Sequence, residues 1–267
     1  MRLYAKSRYT EFKYAKGKTD IYGKTFHDSF EMFLLVSGNV EFVNEHTRVK
    51  LVPYQLVIIP KGSYHQFIVR DSGEDYERIV VNVFPGLSAD GVVQEALRGK
   101  RIMTLSEKHR IVQHFLYLKE CAVSLSQEDF RYVLDAVATD TVMIIKNSNE
   151  AKPMHKGSLH PISVEVMTYI NNSFAEISDI EFLAERFHIS ESSLWHIFKD
   201  DFGISIKKYI MQKRMSAAHQ AISEGMQAKE AALSCGYGNY SAFYRCFTEY
   251  FGYPPSEILR INKKELL

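Results

Sequence analysis

The three cysteines are the first side chains to test for chemistry, because a thiolate can act as a nucleophile, a metal ligand or a redox group. Cys121, Cys235 and Cys246 include no C-x-x-C pair, and their number is odd. These spacings suit neither a zinc site nor a disulfide framework, and they fit a reducing compartment. Cys235 and Cys246 also fall at helix positions that the pattern predicts to be buried, where thiols are usually inert.

A tight turn between two short helical patterns occupies residues 180–198. Ala184 is small enough to let the two helices cross closely. His188 stands where the turn needs a left-handed backbone, which histidine tolerates better than most residues other than glycine. Ser190 belongs to a residue type favoured as a helix N-cap. The segment therefore predicts a helix-turn-helix, whose second helix can enter the major groove of DNA.

The same arrangement recurs in residues 228–247, with Gly236 at the turn. Ala184 matches Ala232 only if one residue is inserted in the second turn, where insertions are tolerated. A single offset aligns four further pairs: Phe198 with Phe247, Leu194 with Phe243, Phe202 with Phe251 and Gly203 with Gly252. The sequence therefore predicts a tandem repeat.

Residues 206–222 predict one helix that connects the two units and ends at Gly225. Two similar units on a rigid connector predict that two recognition helices enter successive major-groove segments, about 34 Å apart. A purely structural role for both units is the alternative. Residues 158–267 carry 11 Lys and Arg against 13 Asp and Glu, so charge alone does not favour DNA binding. The repeat itself must carry that prediction.

The second unit contains a run from Lys229 through Gly236-Tyr237, Phe243, Arg245, Phe247, Phe251-Gly252 and Pro255-Ser256. This run resembles the signature segment of the arabinose-regulator (AraC/XylS) family of bacterial transcription factors, and the close resemblance to that family extends over residues 162–258. Ala228, Ala231 and His188 depart from the residues common in the family.

This resemblance implies base-facing positions on both recognition helices. They are Ser192, Ser193, Trp195 and His196 in the first helix, and Tyr240, Ser241, Tyr244 and Arg245 in the second. Arg245 can donate two hydrogen bonds to guanine, whereas His196 replaces a commonly seen arginine and offers less. The expected phosphate partners are Lys199, Lys207, Lys208, Lys213 and Arg214. Core packing for the aromatic side chains and a solvated surface for the basic ones are the alternatives.

The N-terminal part of the chain has the pattern of an all-β domain. Residues 31–36 and 40–43 are apolar or alternating runs separated by Ser37-Gly38-Asn39, and similar runs follow to Phe84. Their spacing is that of a β-sandwich or small barrel. The length of 267 residues favours about two domains, and the apolar fraction of 46% is that of an ordinary globular protein.

Beyond Pro85 the apolar period predicts two amphipathic helices, with Ser106 and Ser126 as candidate N-caps. Their apolar stripes predict either a dimer surface or packing on the barrel. The expected domains are a cupin-like ligand-sensing β domain at 1–100, a helical dimerisation segment at 101–148, a linker at 149–160 and the DNA-binding domain at 161–267. The fold class is α+β: a cupin-like barrel or sandwich with appended helices, then an all-α domain of two helix-turn-helix units joined by a helix.

The N-terminal half more weakly resembles the cupin-like sensor domain that such regulators often carry. His27-Asp-Ser-Phe-Glu31 and Pro60-Lys-Gly-Ser-Tyr-His65 are similar to degraded forms of the two cupin motifs. Ser29 stands where a metal cupin shows a second histidine, so the expectation is no metal and no cofactor. His27, Glu31 and His65 are instead expected to line a small-molecule pocket at the mouth of the barrel. The alternative is a three-ligand metal site of His27, Glu31 and His65, for which the sequence shows no fourth ligand.

The leading hypothesis is therefore a non-enzymatic, ligand-responsive transcription regulator, in this family usually an activator of sugar or other carbon-source genes. Its expected partners are double-stranded DNA, a small-molecule effector such as a sugar, a second copy of the chain and RNA polymerase. Without an export signal or an apolar run long enough to span a membrane, it is expected in the cytoplasm. The alternatives are a metal-dependent cupin enzyme fused to a DNA-binding domain, and a regulator without a ligand whose barrel only dimerises.

Overall fold

In the computed structural model the chain forms two compact units, an N-terminal unit of Met1–Gly157 and a C-terminal unit of Ser158–Leu267. The structure describes residues 1–17, 27, 29–45, 47–71, 76–84, 86–87, 91–98, 101–148, 152–153 and 159–260. No helix among these residues is long and apolar enough to cross a membrane.

Antiparallel strands build the N-terminal unit, as the alternating runs predict. The strands are β1 (Arg2–Lys6), β2 (Thr10–Lys16), β3 (Phe30–Ser37), β4 (Asn39–Asn44), β5 (Arg48–Lys50), β6 (Gln55–Ile59), β7 (His65–Asp71), β8 (Glu77–Val83), β9 (Arg101–Thr104) and β10 (Lys152–Pro153). A seven-stranded sheet has the order β1-β2-β8-β3-β6-β9-β10, and a three-stranded sheet has the order β5-β4-β7.

Strand β3 is buried on both of its faces, which explains its nearly continuous apolar sequence. Phe33 and Leu35 point to a core shared with the three-stranded sheet, where Phe42 and Phe67 lie. The alternate residues of β3 point to the opposite face of the seven-stranded sheet. The space between the two sheets is thus filled largely by aromatic and branched apolar side chains.

Three helices cover that opposite face: α1 (Val92–Ala96), α2 (Arg110–Ser124) and α3 (Gln127–Asn147). Phe115 of α2 and Phe130 of α3 are buried in the same core as Met32 of β3. Of the two sequence interpretations, packing on the sheet therefore accounts for the apolar stripes of both helices. Other apolar side chains of these helices remain exposed: Tyr117, Val123, Tyr132 and Met143.

The structure departs from the predicted boundaries at three places. Residues 101–104, assigned to the helical segment, form β9 and pair with β6, so the sheet continues past residue 100. Within the predicted linker, Lys152–Pro153 pairs with β9, and residues 149–151 and 154–158 lie outside the described residues. Helix α2 begins after His109, whose side chain caps it by accepting from the Ile111 amide. Ser106 is therefore not its N-cap.

The C-terminal unit is helical throughout its described residues. Its helices are α4 (Pro161–Ser173), α5 (Ile180–Arg186), α6 (Glu191–Phe202), α7 (Ile206–Ser223), α8 (Ala228–Ser234) and α9 (Tyr240–Phe251), followed by a 3-10 turn at Pro255–Glu257. Helices α5 and α6 form the first helix-turn-helix and α8 and α9 the second, with α7 between them. The predicted tandem repeat joined by one helix is confirmed.

Candidate nucleic-acid interface and polar cluster

Both helix-turn-helix turns use the same backbone hydrogen bonds. In the first turn the Ile189 amide donates to the Ala184 carbonyl at 3.0 Å, and in the second the Tyr237 amide donates to the Ala232 carbonyl at 2.9 Å. The pairing of the two alanines, both buried, is thus confirmed.

The turn residues adopt the left-handed backbone that the sequence predicts. His188 has φ 52° and Gly236 has φ 83°. The turn residues lie 48 positions apart, whereas the N-caps of α6 and α9, Ser190 and Asn239, lie 49 apart. The one-residue insertion of the second unit therefore falls between its turn and its recognition helix.

Each recognition helix is closed at both ends. Ser190 accepts from the Ser193 amide at 3.2 Å, and Asn239 accepts from the amides of the second and third residues of α9 at 2.8 and 3.3 Å. Helices α6 and α9 end at Gly203 and Gly252, both left-handed, with φ 70° and 82°. These caps satisfy backbone groups that a free helix end would leave unpaired. Both recognition helices therefore have well-defined first and last turns.

The side chains predicted to face bases lie on the solvent side of both helices. Trp195, Tyr240 and Tyr244 are 37%, 40% and 41% exposed. The others, all exposed, are Ser192, Ser193, His196, Ser241 and Arg245. The core instead takes Leu194, Phe198, Phe243 and Phe247, which are fully buried. The three exposed aromatic side chains therefore do not serve as core in this unit.

The basic residues divide into two groups. Lys199, Lys207 and Lys208 are exposed, and the Lys199 ammonium lies 4.4 Å from the centroid of the Trp195 ring. Arg214, expected to contact phosphate, instead donates to the carbonyls of Phe174 at 2.9 Å and Ile177 at 2.7 Å. These hydrogen bonds connect helix α7 to residues 174–177, which lie between α4 and α5.

A polar cluster lies between the two sheets of the N-terminal unit. Glu31 begins the inward face of β3, His65 begins β7, and His27 lies just before β3. Glu31 Oε2 is 3.2 Å from His27 Nε2, and Glu31 Oε1 is 3.7 Å from His65 Nε2. The Gly62 amide donates to the His27 carbonyl at 2.9 Å and ties the two loops together. The structure thus brings together the three residues that the weaker resemblance singled out.

Two further buried polar residues join this cluster, and neither was named as a site residue from the sequence. Asn82 on β8 lies opposite Glu31 on β3 in the strand register. The side-chain amide of Asn82 donates a hydrogen bond to the Ser29 hydroxyl at 2.8 Å. Asn82 Oδ1 and His27 Nε2 are buried without a hydrogen-bond partner among the described residues. The only indication of this role in the sequence is that Asn82 interrupts the apolar run 79–84.

Burial and mutual contact shift the pKa values of the cluster in different directions. Burial alone raises the pKa of Glu31, but its contacts with His27 and the charges of both histidines lower it to about 2. Burial lowers the pKa of His65 to about 4. Burial also opposes the charge on His27, yet its contact with Glu31 outweighs this effect and raises the pKa. A carboxylate facing imidazole nitrogens is therefore the stable state at neutral pH.

A pair of capped recognition helices, each on its own helix-turn-helix and joined by one helix, defines a DNA-binding transcription regulator. The model of a helix-turn-helix domain matches residues 183–261. The chain is 32% identical over 242 residues to the probable transcriptional regulator LumQ of Photobacterium leiognathi, covering 87% of this chain and 91% of that protein. It therefore belongs to the AraC/XylS family of transcription regulators.

Two other similarities extend over most of the chain. The Msm operon regulatory protein of Streptococcus mutans is 21% identical over 248 residues, covering 88% of this chain and 86% of that protein. The solved structure of ToxT from Vibrio cholerae covers 94% of this chain and 98% of its own, at 12% identity and a TM-score of 0.38. That TM-score is too low to support any conclusion about this chain.

Proposed function

We propose that the chain recognises a specific DNA sequence by placing α6 and α9 in successive major grooves. The observation that carries this proposal is the exposure of polar and aromatic side chains on two helices with matching caps and turns. Side chains must be exposed on a helix in this way to reach the base edges in the major groove. The expected compartment is the bacterial cytoplasm, where chromosomal DNA lies.

Base reading is expected to be unequal between the two helices. Arg245 on α9 is exposed and offers the donors that grip guanine O6 and N7. His196 on α6 contacts the Trp195 ring, with centroids 4.7 Å apart, and has fewer donors. We expect α9 to fix one guanine strongly, while α6 contributes weaker contacts from serine, histidine and tryptophan. Lys199, Lys207 and Lys208 supply the phosphate contacts.

Control by a small molecule is the second part of the proposal. The polar cluster of His27, Glu31 and His65 buries a carboxylate beside two imidazoles within the N-terminal unit, and a few buried polar groups of this kind can orient a small ligand. An effector bound there, such as a sugar, changes the regulator by binding one of its states more tightly. As in most of the family, the expected outcome is activation through RNA polymerase. The two curated relatives described above are regulators, which supports a non-enzymatic role.

Homodimer formation is the third part. Tyr117 and Val123 of α2 and Tyr132 of α3 are 49%, 64% and 73% exposed. Apolar side chains of this size on adjoining helices are typical of protein–protein contact. We propose that α2 and α3 pair with the same helices of a second copy.

Binding of the full chain to DNA fragments from around its own gene, measured at several salt concentrations, tests the main proposal. Wild type is expected to select a discrete site. Arg245→Ala is expected to weaken binding to that site by about 1 to 3 kcal/mol. It should keep the salt-dependent non-specific binding that phosphate contacts provide.

Arg260→Ala is the matched control, because Arg260 is an exposed arginine of the same unit outside both recognition helices. It is expected to leave the selectivity unchanged. A wild-type chain with no preferred site, with or without candidate sugars, would contradict the proposal. Equal losses in Arg245→Ala and Arg260→Ala would show that Arg245 acts only through its charge.

A further inference from the structure

Three side chains that carry metal-ligating atoms converge inside the N-terminal unit. His27, Glu31 and His65 place one donor each within 4.8 Å of one another. Donors about 2.1 Å from a tetrahedral metal lie roughly 3.4 Å apart. The distances from the two histidine Nε2 atoms to the nearer carboxylate oxygen, Oε2 for His27 and Oε1 for His65, are 3.2 and 3.7 Å and lie on either side of that value.

Both imidazole rings are held in the form that a metal needs. His27 Nδ1 lies 2.7 Å from the Ser29 carbonyl, and His65 Nδ1 lies 3.2 Å from the Ser63 carbonyl. A backbone carbonyl can only accept a hydrogen bond, so each Nδ1 carries the proton and each Nε2 can present its lone pair. Fixing a histidine tautomer through its second nitrogen is the usual device around metal ligands.

The contact between His27 and Glu31 does not satisfy both groups. Although Nε2 and Oε2 are 3.2 Å apart, His27 Nε2 has no well-directed hydrogen bond among the described residues. A neutral His27 would thus direct a lone pair towards a carboxylate, which costs free energy without a cation between them. Either a proton on His27 or a metal ion removes this cost.

We propose that His27, Glu31 and His65 bind a divalent transition metal ion, with zinc as the first candidate. Two imidazoles and one carboxylate suit zinc or ferrous iron better than magnesium or calcium, which prefer oxygen ligands. This inference departs from the expectation drawn from Ser29, because it relies on the three donors present rather than on a fourth ligand at position 29. It is also independent of DNA binding.

The ion would join the two sheets of the N-terminal unit. Glu31 belongs to β3 of the seven-stranded sheet and His65 to β7 of the three-stranded sheet, while His27 lies on the loop before β3. An ion held by all three would fasten the sheets at the end where the polar residues lie. With three protein ligands it keeps an open position, which a water molecule or an effector oxygen fills.

Metal binding by the full chain tests this proposal. Protein stripped with EDTA is titrated with Zn²⁺ by calorimetry, and separately with Co²⁺ by visible absorption. We expect one ion per chain, a rise of several degrees in Tm, and a Co²⁺ spectrum without a thiolate charge-transfer band. The absence of that band excludes binding through the three cysteines.

Glu31→Gln and His65→Gln are the test variants, and each is expected to weaken Zn²⁺ binding at least tenfold. His114→Gln is the control, since His114 lies in the same unit but contacts Thr141 and Asp140 instead. It should bind Zn²⁺ as wild type does. If a test variant fails to fold, as its metal-free Tm and circular dichroism would show, the wild-type titration and Co²⁺ spectrum still decide.

Two results would overturn the proposal. One is wild-type protein that takes up no stoichiometric Zn²⁺ or Co²⁺, in which case the cluster is only an ion pair of protonated His27 with Glu31. The other is an ion that both test variants bind with wild-type affinity. None of these measurements uses DNA, so their failure is distinct from failure of the proposed regulator function.

Discussion

The two helix-turn-helix units share one backbone plan but make their turns with different residues. Helices α6 and α9 are both 12 residues long, begin at a side-chain cap and end at a left-handed glycine. At the turn, however, the first unit has His188 and the second has Gly236. The positive φ angle is common to both turns, so it alone does not explain why one of them uses glycine.

The surroundings of the two turns explain the difference. A Cβ atom on Gly236 would lie 2.3 Å from the Ala175 carbonyl oxygen, closer than any real contact. His188 is exposed and its side chain has room in solvent. The second turn therefore packs tightly on the segment that precedes the first unit, whereas the first turn is open. Close packing, added to backbone strain, makes glycine necessary in the second turn.

The largest expected effect comes from adding one methyl group at the second turn. Gly236→Ala must move the Ala175 carbonyl or shift the turn itself, and it also puts alanine at a positive φ. We expect a loss of about 3 kcal/mol in the free energy of unfolding of the C-terminal unit. Urea denaturation followed by the fluorescence of Trp195, the single tryptophan, reports on this unit.

His188→Gly is the reciprocal change at the first turn. It relieves the cost of a left-handed histidine but adds freedom to the unfolded chain, so the two effects nearly cancel. The free energy of unfolding should change by less than about 1 kcal/mol. Similar losses in Gly236→Ala and His188→Gly would show that the two turns do not differ as the structure indicates.

An intermediate effect is expected at the N-caps, where the two units should behave alike. Ser190→Ala removes an acceptor for one amide of α6, and Asn239→Ala removes an acceptor for two amides of α9. Each substitution should cost about 1 kcal/mol, with the larger loss at Asn239. The same denaturation measurement applies.

Ser190→Thr and Asn239→Asp keep a capping oxygen and serve as controls that should retain most of the stability. A loss in either alanine variant that its control also shows would place the effect in packing rather than in capping.

The sequence predicted the features that depend on neighbouring residues, and it failed for those that depend on residues distant along the chain. The turn at His188 and the cap at Ser190 were predicted because residue type alone favours those backbone states, and both are confirmed. Arg214 was misjudged because its partners, the carbonyls of Phe174 and Ile177, lie 40 and 37 residues away. A surface lysine or arginine pattern contains no information about such distant acceptors.

The N-terminal unit shows the same limit. The long alternating strands were predicted, but β9 was not, because its four residues pair with an edge of β6 that only the folded sheet provides. The resemblance to the cupin motifs singled out His27, Glu31 and His65, and the structure brings them together. Asn82 was missed, because cross-strand pairing with Glu31 places it there and no motif marks it.

The smallest expected effect separates the outward faces of the two recognition helices. On α6 the Lys199 ammonium lies over Trp195, whereas the aligned residues of α9 are Tyr244 and Thr248, which include no cation. Lys199→Gln should reduce stability by no more than about 0.5 kcal/mol, because an exposed cation–π contact is weak.

If Lys199 contacts a phosphate, the slope of log affinity against log salt concentration should fall by about 1 for the selected DNA site in Lys199→Gln. Lys229→Gln on α8 removes an exposed cation outside the recognition helices and should leave that slope unchanged. An unchanged slope in Lys199→Gln would instead assign Lys199 to holding the Trp195 ring, because the contact would then act on stability without reaching DNA.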